Sequence, residues 1–168
     1  RLPATTLLGL VLGALAVPLT GLHLAFPTDS TAASDTTQRK ASDLMADAFG
    51  PGREGPLVVV VDARDVAAED RAGAIDQVAR WAGGQDDVVN AQVVAMNDDG
   101  SGAQILVTPA SGPDDTATET LLQHLRDGQP GIEAETGTTT GVTGLTAITT
   151  DVSDRLSSAL PVYLTVVI

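Results

Sequence analysis

The chain has 168 residues and a formal net charge of −13, with 22 acidic residues against nine Lys and Arg. Nucleic acids and anionic lipid headgroups attract basic surfaces, so this balance excludes nucleic-acid binding and argues against adhesion to anionic lipid. The absence of cysteine excludes disulfides and cysteine-ligated zinc or iron–sulfur sites.

The first feature in chain order is a long uncharged segment. No Asp, Glu, Lys or Arg occurs from Leu2 to Thr28, and residues 7–26 are rich in Leu, Val, Ala and Gly. About 20 apolar residues suffice to cross a bilayer as a helix, so we predict a transmembrane helix over residues 1–26. The alternatives are a buried soluble helix or a cleaved signal peptide. A signal peptide ends in a cleavage site of small residues, and Thr20-Gly21-Leu22 fits such a site poorly.

A second apolar run follows Arg155 and continues uncharged to Ile168. It is too short to span a bilayer by itself, so we predict that residues 153–168 begin a second transmembrane helix. Because the chain starts at Arg1 and stops inside this run, we expect it to be part of a longer protein.

All the acidic residues lie between the two apolar runs, whereas Arg1 lies on the far side of the first run. Lys and Arg prefer the cytoplasmic flank of membrane helices. We therefore expect a multi-pass protein of the cell membrane, with the acidic domain on the extracytoplasmic side.

Residues 27–37 are rich in Ser, Thr, Asp and Ala without hydrophobic rhythm, which predicts a juxtamembrane linker before a domain over residues 38–152. The valine-rich run 57–61 predicts a central strand that is apolar on both faces. On that basis Val60→Asp is expected to place an unpaired charge in the core. Between the linker and this strand, a helix is predicted by the spacing of the apolar residues Ala41, Leu44, Met45, Ala48 and Phe49.

Further elements follow from hydrophobic periodicity. Helical spacing around Ile75 and Val78 predicts a second helix, and residues 88–96 and 103–108 predict two strands joined by a hairpin turn. A third helix is predicted after Thr116, ending at Gly128 and Pro130, and a fourth strand is predicted over residues 132–143. A last helix starts near Gly144 and runs into the second apolar segment.

The resulting order is strand, helix, strand, strand, helix, strand. This order predicts an α+β fold of the split βαβ, or ferredoxin-like, kind. The predicted domain is tethered to the membrane at both ends, and its outgoing helix is continuous with the second apolar run.

Two glycine-containing motifs could indicate ligand sites. Gly50, Gly52 and Gly55 match G-x-G-x-x-G, but the motif closes a helix and opens a strand, the reverse of a phosphate-binding loop. Asn97-Asp98-Asp99-Gly100 resembles part of a calcium loop, yet the first and last ligand positions would be Ala95 and Leu106. We interpret both motifs as structural turns.

Nothing in the sequence predicts an enzyme, a cofactor site or a metal site. The chain has two histidines, and neither a nucleophile elbow nor a pair of closely spaced histidine ligands occurs. The candidate functional residues are Asp151, Asp154 and Arg155, where the last helix approaches the membrane. They form either a solvated interfacial face or part of a polar path that couples the domain to the bilayer.

Several short motifs occur in a characteristic order along the chain. An apolar helix precedes a short helix ending in Ala48-Phe49-Gly50-Pro51-Gly52, and Gly55-Pro56-Leu57 opens a valine-rich strand closing on Val61-Asp62-Ala63. Further on stand Val142-Thr143-Gly144, Thr146-Ala147, Asp151, Ser153-Asp154-Arg155-Leu156 and Leu160-Pro161. This ordered set resembles the MMPL (mycobacterial membrane protein large) family of the RND (resistance–nodulation–division) superfamily, over essentially the whole chain.

The resemblance implies a protein of two homologous halves, each with a porter domain between its first and second membrane helices. Leu160-Pro161-Val162-Tyr163-Leu164 is more similar to the second half. It also implies a proton-driven exporter of lipids or other hydrophobic molecules, with this domain on the substrate path. The implied partners are the bilayer, the hydrophobic substrate and the remainder of the transporter chain, which would carry the proton-relay residues.

Two other classes of function stay open from the residues alone. One is a membrane-anchored extracytoplasmic binding or sensor module, and the other is an anchored extracytoplasmic enzyme. A pump requires several more apolar segments after Ile168 with an intramembrane acidic residue, whereas a sensor would show one crossing and then a soluble domain.

Overall fold

The computed structural model describes residues 29–167, so the transmembrane helix predicted over residues 1–26 lies outside the described residues. Phe26–Val152 form one compact unit, and Ser153–Ile168 belong to another. Among residues 29–167, no helix combines the length and the hydropathy that crossing a membrane requires.

The described elements alternate in the predicted order. A helix precedes the first strand, two short 3-10 helices lie at Asp29–Thr31 and Pro51–Glu54, and a long helix follows the last strand. The bounds are α1 Thr37–Phe49, β1 Leu57–Asp62, α2 Arg71–Gly83, β2 Val88–Met96, β3 Gly102–Pro109, α3 Thr116–Thr136, β4 Thr139–Thr143 and α4 Leu145–Val167.

The strands described here form one antiparallel sheet in the order β2-β3-β1-β4. β1 lies between β3 and β4, and Val59 pairs with Ile105 on one side and Val142 on the other. This order is produced when two βαβ units fold onto one sheet with their helices on the same face. The predicted α+β, split βαβ fold and the central position of β1 are confirmed.

The core lies between one face of the sheet and the helices α2 and α3. Leu57, Val59 and Val61 of β1 are fully buried in a single cluster with Ile75, Val78, Ile105, Val107, Leu121, Leu122, Leu125 and Ile132. Val60 is 41% exposed, because successive side chains of a strand point to opposite faces and both helices pack on one face. The expectation that Val60→Asp would bury a charge in the core is therefore wrong.

Helix α1 is present as predicted, but its apolar residues lie on the surface. Thr36 caps the helix by accepting a hydrogen bond from the backbone N–H of Arg39 at 3.3 Å. The buried residue of this helix is Ser42, whose hydroxyl donates to Oε2 of Glu54 at 2.8 Å. Leu44 and Phe49 are 70% and 66% exposed, so α1 is attached through a polar contact rather than through its apolar face.

Helix α3 does not end at Gly128 and Pro130, and this prediction is wrong. The helix continues through both residues and ends at Gly137, whose φ of +70° is left-handed. Packing overrides the local helix-breaking tendency because Ile132, in the second half of α3, is buried in the core cluster.

Strand β4 is correspondingly shorter than predicted and is tied to the second half of α3. Glu133 Oε1 accepts hydrogen bonds from the backbone N–H and the hydroxyl of Thr140, at 2.6 and 2.9 Å. Gln129 donates to the carbonyl of Thr140 at 2.6 Å. These bonds stabilise residues 132–136 as helix instead of the predicted strand.

The hairpin turn between β2 and β3 is confirmed. Asn97 uses its side-chain oxygen to accept from the N–H of Gly102 at 2.8 Å, and its amide donates to Ser101 Oγ at 2.8 Å. Gly100 has a φ of +68°, a conformation that glycine adopts without strain. Ser101 donates two hydrogen bonds to the carboxylate of Asp99, and these bonds lower the pKa of Asp99.

Candidate functional site

The last helix begins at a tightly packed junction between β4 and α4. Gly144, which precedes α4, has a φ of +124°, and a Cβ built on it would lie 2.8 Å from the carbonyl oxygen of Pro56. Both the conformation and the contact require glycine at this position. The carbonyl of Gly144 accepts from the N–H of Ile148, so α4 begins at once beside the start of β1.

The first turn of α4 is buried in the domain. Thr146 and Ala147 are 3% and 1% exposed, and the Thr146 hydroxyl donates to the carbonyl of Gly55 at 3.2 Å. A Cβ on Gly55 would lie 2.4 Å from Cβ of Pro113 and 2.7 Å from Oγ1 of Thr146. The glycine therefore allows β1, the β3–α3 loop and α4 to meet at one point.

The glycines of the G-x-G-x-x-G motif are required by close packing and by backbone conformation. Gly50 has a φ of +88°, and a Cβ on Gly52 would lie 1.9 Å from the carbonyl oxygen of Pro109. A 3-10 helix, Pro51–Glu54, fills the motif between helix α1 and strand β1. The interpretation of the motif as a structural turn is confirmed.

A bidentate ion pair joins α4 to helix α3. Arg126 donates from both terminal nitrogens to the carboxylate of Asp151, at 2.6 and 2.9 Å. The side chains are 28% and 50% exposed. Asp151 stands one turn beyond the buried Ala147 on the same side of the helix, because residues four apart share a face. The pair thus extends the attachment of α4 to the domain by one turn.

Asp154 and Arg155 lie on the next turn of α4 and are exposed. No ion pair involving either residue is found among the described residues. The three candidate residues are therefore not equivalent, since Asp151 contacts the domain whereas Asp154 and Arg155 face solvent. Of the two interpretations of these residues, a solvated interfacial face and a polar path, the polar path stays a prediction.

Sequence reasoning missed two residues of the junction. Arg126 lies 25 positions from Asp151, and no periodicity or motif links them. Thr146 was noted only as part of the ordered motif set, and its contact with Gly55 spans 91 positions. Within the part of the chain that the structure describes, no group of three His, Asp or Glu side chains could hold a metal ion.

An exposed apolar stripe runs along α4, away from the buried side of its first turn. Its members are 39–67% exposed and recur every three or four residues, at Leu145, Ile148, Val152, Leu156 and Leu160. These residues share one face of α4, and the domain uses the opposite side of the helix for its own packing.

The MMPL family model matches residues 30–168. The chain belongs to the MMPL family. Membrane protein YdfJ of Bacillus subtilis is 34% identical over 159 residues, which are 95% of this chain and 21% of that protein. The mycolic acid-containing lipids exporter MmpL11 of Mycolicibacterium smegmatis is 27% identical over 160 residues, which are 88% of this chain and 17% of that protein. The chain thus spans about a fifth of the length of these curated relatives.

In this MMPL-family chain, motifs from the two ends of the ordered set meet in space. Gly55-Pro56-Leu57 opens β1, and Gly144 and Thr146 lie directly against it. The resemblance seen in the sequence is confirmed, and motifs from its two clusters, Gly55-Pro56-Leu57 and Gly144 with Thr146, meet at one junction.

Proposed function

We propose that this chain is a segment of a multi-pass membrane exporter, with its α+β domain on the path of a lipid or other hydrophobic substrate. Membership of the MMPL family supports this proposal, as does the name of MmpL11, a lipids exporter. The structural observation behind it is that α4 starts from buried residues of the domain and continues as one helix through Val167.

The proposed energy source is the proton gradient, and α4 is the proposed mechanical link. Its sequence holds no glycine between Leu145 and Ile168, and one proline, Pro161. An uninterrupted helix transmits tilt or rotation, whereas a flexible linker does not. Asp151, Asp154 and Arg155 are the proposed coupling residues because they stand on α4 between the domain and the apolar run.

Glycines at Val152 and Ser153 in the full-length transporter test the link. The pair costs about 1 kcal/mol or slightly more of helix propensity, which is too little to unfold the domain but enough to favour a local break. We expect normal abundance in the membrane and reduced lipid export. Alanines at the same two positions are the matched control and should export normally. Full export by the glycine variant would make α4 a passive tether.

The charges are tested separately. Neutralising Asp151 and Asp154 to Asn leaves the helix nearly intact, so any loss of export reports on the charges rather than on helix stiffness. Export equal to that of the unmodified transporter would exclude the two carboxylates from coupling.

The proposed extracytoplasmic location of the domain can be tested by thiol labelling. The chain has no cysteine, and Asp98 is exposed at the tip of the β2–β3 hairpin. In a full-length protein without other cysteines, Asp98→Cys should react with a membrane-impermeant maleimide on intact cells. Arg1→Cys, proposed to lie inside, should react only after the cells are opened. The reverse pattern would invert the orientation.

A further inference from the structure

The attachment of α4 to the domain combines two kinds of contact. Gly144, Thr146 and Ala147 pack against backbone or core and cannot separate without disturbing the fold. Arg126 and Asp151 contact each other through the ends of their side chains, which are partly exposed to water. The packed residues at the start of α4 thus stay attached as long as the domain is folded. The ion pair can break and re-form while that packing is kept.

The geometry of this pair is more selective than that of a chance surface contact. Two parallel N–H···O bonds hold the carboxylate in the plane of the guanidinium, so the bond is satisfied only at a narrow range of helix orientations. The pair also joins separate elements. The pairs Arg39–Asp43 and Arg64–Asp62 instead lie within one helix and within one strand end and loop.

We infer that the Arg126–Asp151 ion pair is a releasable latch, which holds α4 in one orientation on the domain and opens in the other state of the transport cycle. This inference rests on the proposed function, and it adds Arg126 as the residue on the domain side. An exposed pair contributes little to folding stability, and a contribution of that size shifts a two-state equilibrium by several-fold. Such a latch biases α4 without fixing it.

Charge reversal in the full-length transporter tests the latch. Arg126→Asp and Asp151→Arg each place like charges opposite each other, and we expect export to fall by roughly five-fold in each. The double variant restores an ion pair of the opposite sense and should recover most of the export. Arg64→Asp, which removes a more exposed pair away from α4, is the control for charge reversal itself and should export normally. Failure of the double variant to recover, or normal export in both single variants, would overturn the latch.

A second readout does not depend on transport. Spin labels at Gln123 on α3 and Ser157 on α4, both exposed, report the orientation of α4. Each single reversal should broaden the distance distribution between them, and the double variant should narrow it again. A distance distribution unchanged by both single reversals overturns the latch even where export has fallen. If the unmodified protein exports no lipid, the proposed function fails, and these distances still decide on the latch.

Opening is tested by preventing it. Because the chain has no cysteine, Arg126→Cys and Asp151→Cys can be joined by a short, reducible bis-methanethiosulfonate reagent. We expect joining to abolish the export that remains in the double-cysteine variant, and reduction to restore it to that level, while the same reagent leaves the lowered export of each single-cysteine variant unchanged. Equal export by the joined and the unjoined forms of the double-cysteine variant would show that the latch need not open.

Discussion

The indole ring of Trp81 lies against the backbone of Gly128, so close that a Cβ on this glycine would come 2.7 Å from Cζ2 of the ring. This contact packs α2 on α3 beside the core cluster. It explains why a glycine occurs in the middle of a long helix, where it weakens the helix by about 1 kcal/mol relative to alanine.

Gly128→Ala should therefore displace the indole and lower the free energy of unfolding by about 1 kcal/mol, since overpacking outweighs the gain in helix propensity. Trp81 is the one tryptophan of the chain, so a red shift of its fluorescence reports the displacement directly. Gly131→Ala, in the same helix with nothing within 4 Å of the new Cβ, is the control. It should be neutral or stabilising, and equal effects at the two glycines would contradict the packing explanation.

Gly52→Ala should be far more damaging, because the new Cβ would meet the backbone carbonyl of Pro109 at 1.9 Å. Backbone cannot rotate away as a side chain can, and we expect a loss of about 3 kcal/mol or more in thermal unfolding. Gly73→Ala in α2 meets nothing within 4 Å and should leave the stability unchanged or slightly raised. A fully stable Gly52→Ala variant would show that the G-x-G-x-x-G turn does not pack as described.

Two adjacent valines of β1 should respond very differently to a charge. Val59 is fully buried, so Val59→Asp should cost more than about 4 kcal/mol or prevent folding. Val60 is 41% exposed on the opposite face, and Val60→Asp should cost about 1 kcal/mol. Chemical denaturation of the two variants compares them under one condition. Losses of similar size would mean that both faces of β1 are covered.

The carboxylate of Asp62 should titrate far below its usual range. Hydrogen bonds from the side chain and the backbone N–H of Arg64 lower its pKa to about 2 from an ordinary value of 3.8. Because the folded-state pKa is the lower one, the stabilising contribution is complete above about pH 4 and is lost as the pH falls through 2. Carbon-13 NMR of the aspartate carboxyl groups measures this directly.

Arg64→Gln should raise the pKa of Asp62 back toward 3.8. Asp99 serves as the internal control, because its lowered pKa arises chiefly from hydrogen bonds donated by Ser101 and should not move. A midpoint near 4 for Asp62 in the unmodified chain would show that the Asp62–Arg64 pair does not persist in solution.

The regular parts of the fold could be predicted from the sequence because their signals are local. Valine enrichment and short length indicate β1, and helical spacing around Ile75 and Val78 indicates α2. The second half of α3 could not be predicted in this way. Gly128 and Pro130 are local stop signals, and what overrides them is the contact with Trp81 and the burial of Ile132, both of which depend on the completed fold.

The candidate site shows the same limit. Periodicity places Asp151, Asp154 and Arg155 on one helix, and the structure keeps them there. Periodicity cannot show that Asp151 is the one of the three with an ion pair to the domain among residues 29–167, because its partner Arg126 comes from another helix. Pairs between distant segments carry no periodic signal, so they emerge only when the sheet order is known.

The position of β1 in the sheet also has a consequence for synthesis on the ribosome. β4, which pairs with β1 from Asp62–Thr139 to Val58–Thr143, is made roughly 80 residues later. Until then one edge of an uncharged valine run is open, and such edges pair readily with other chains. The nascent chain is thus exposed to misassembly until residue 143 has emerged. The strand that covers this edge is followed directly, after Gly144, by the start of the outgoing helix.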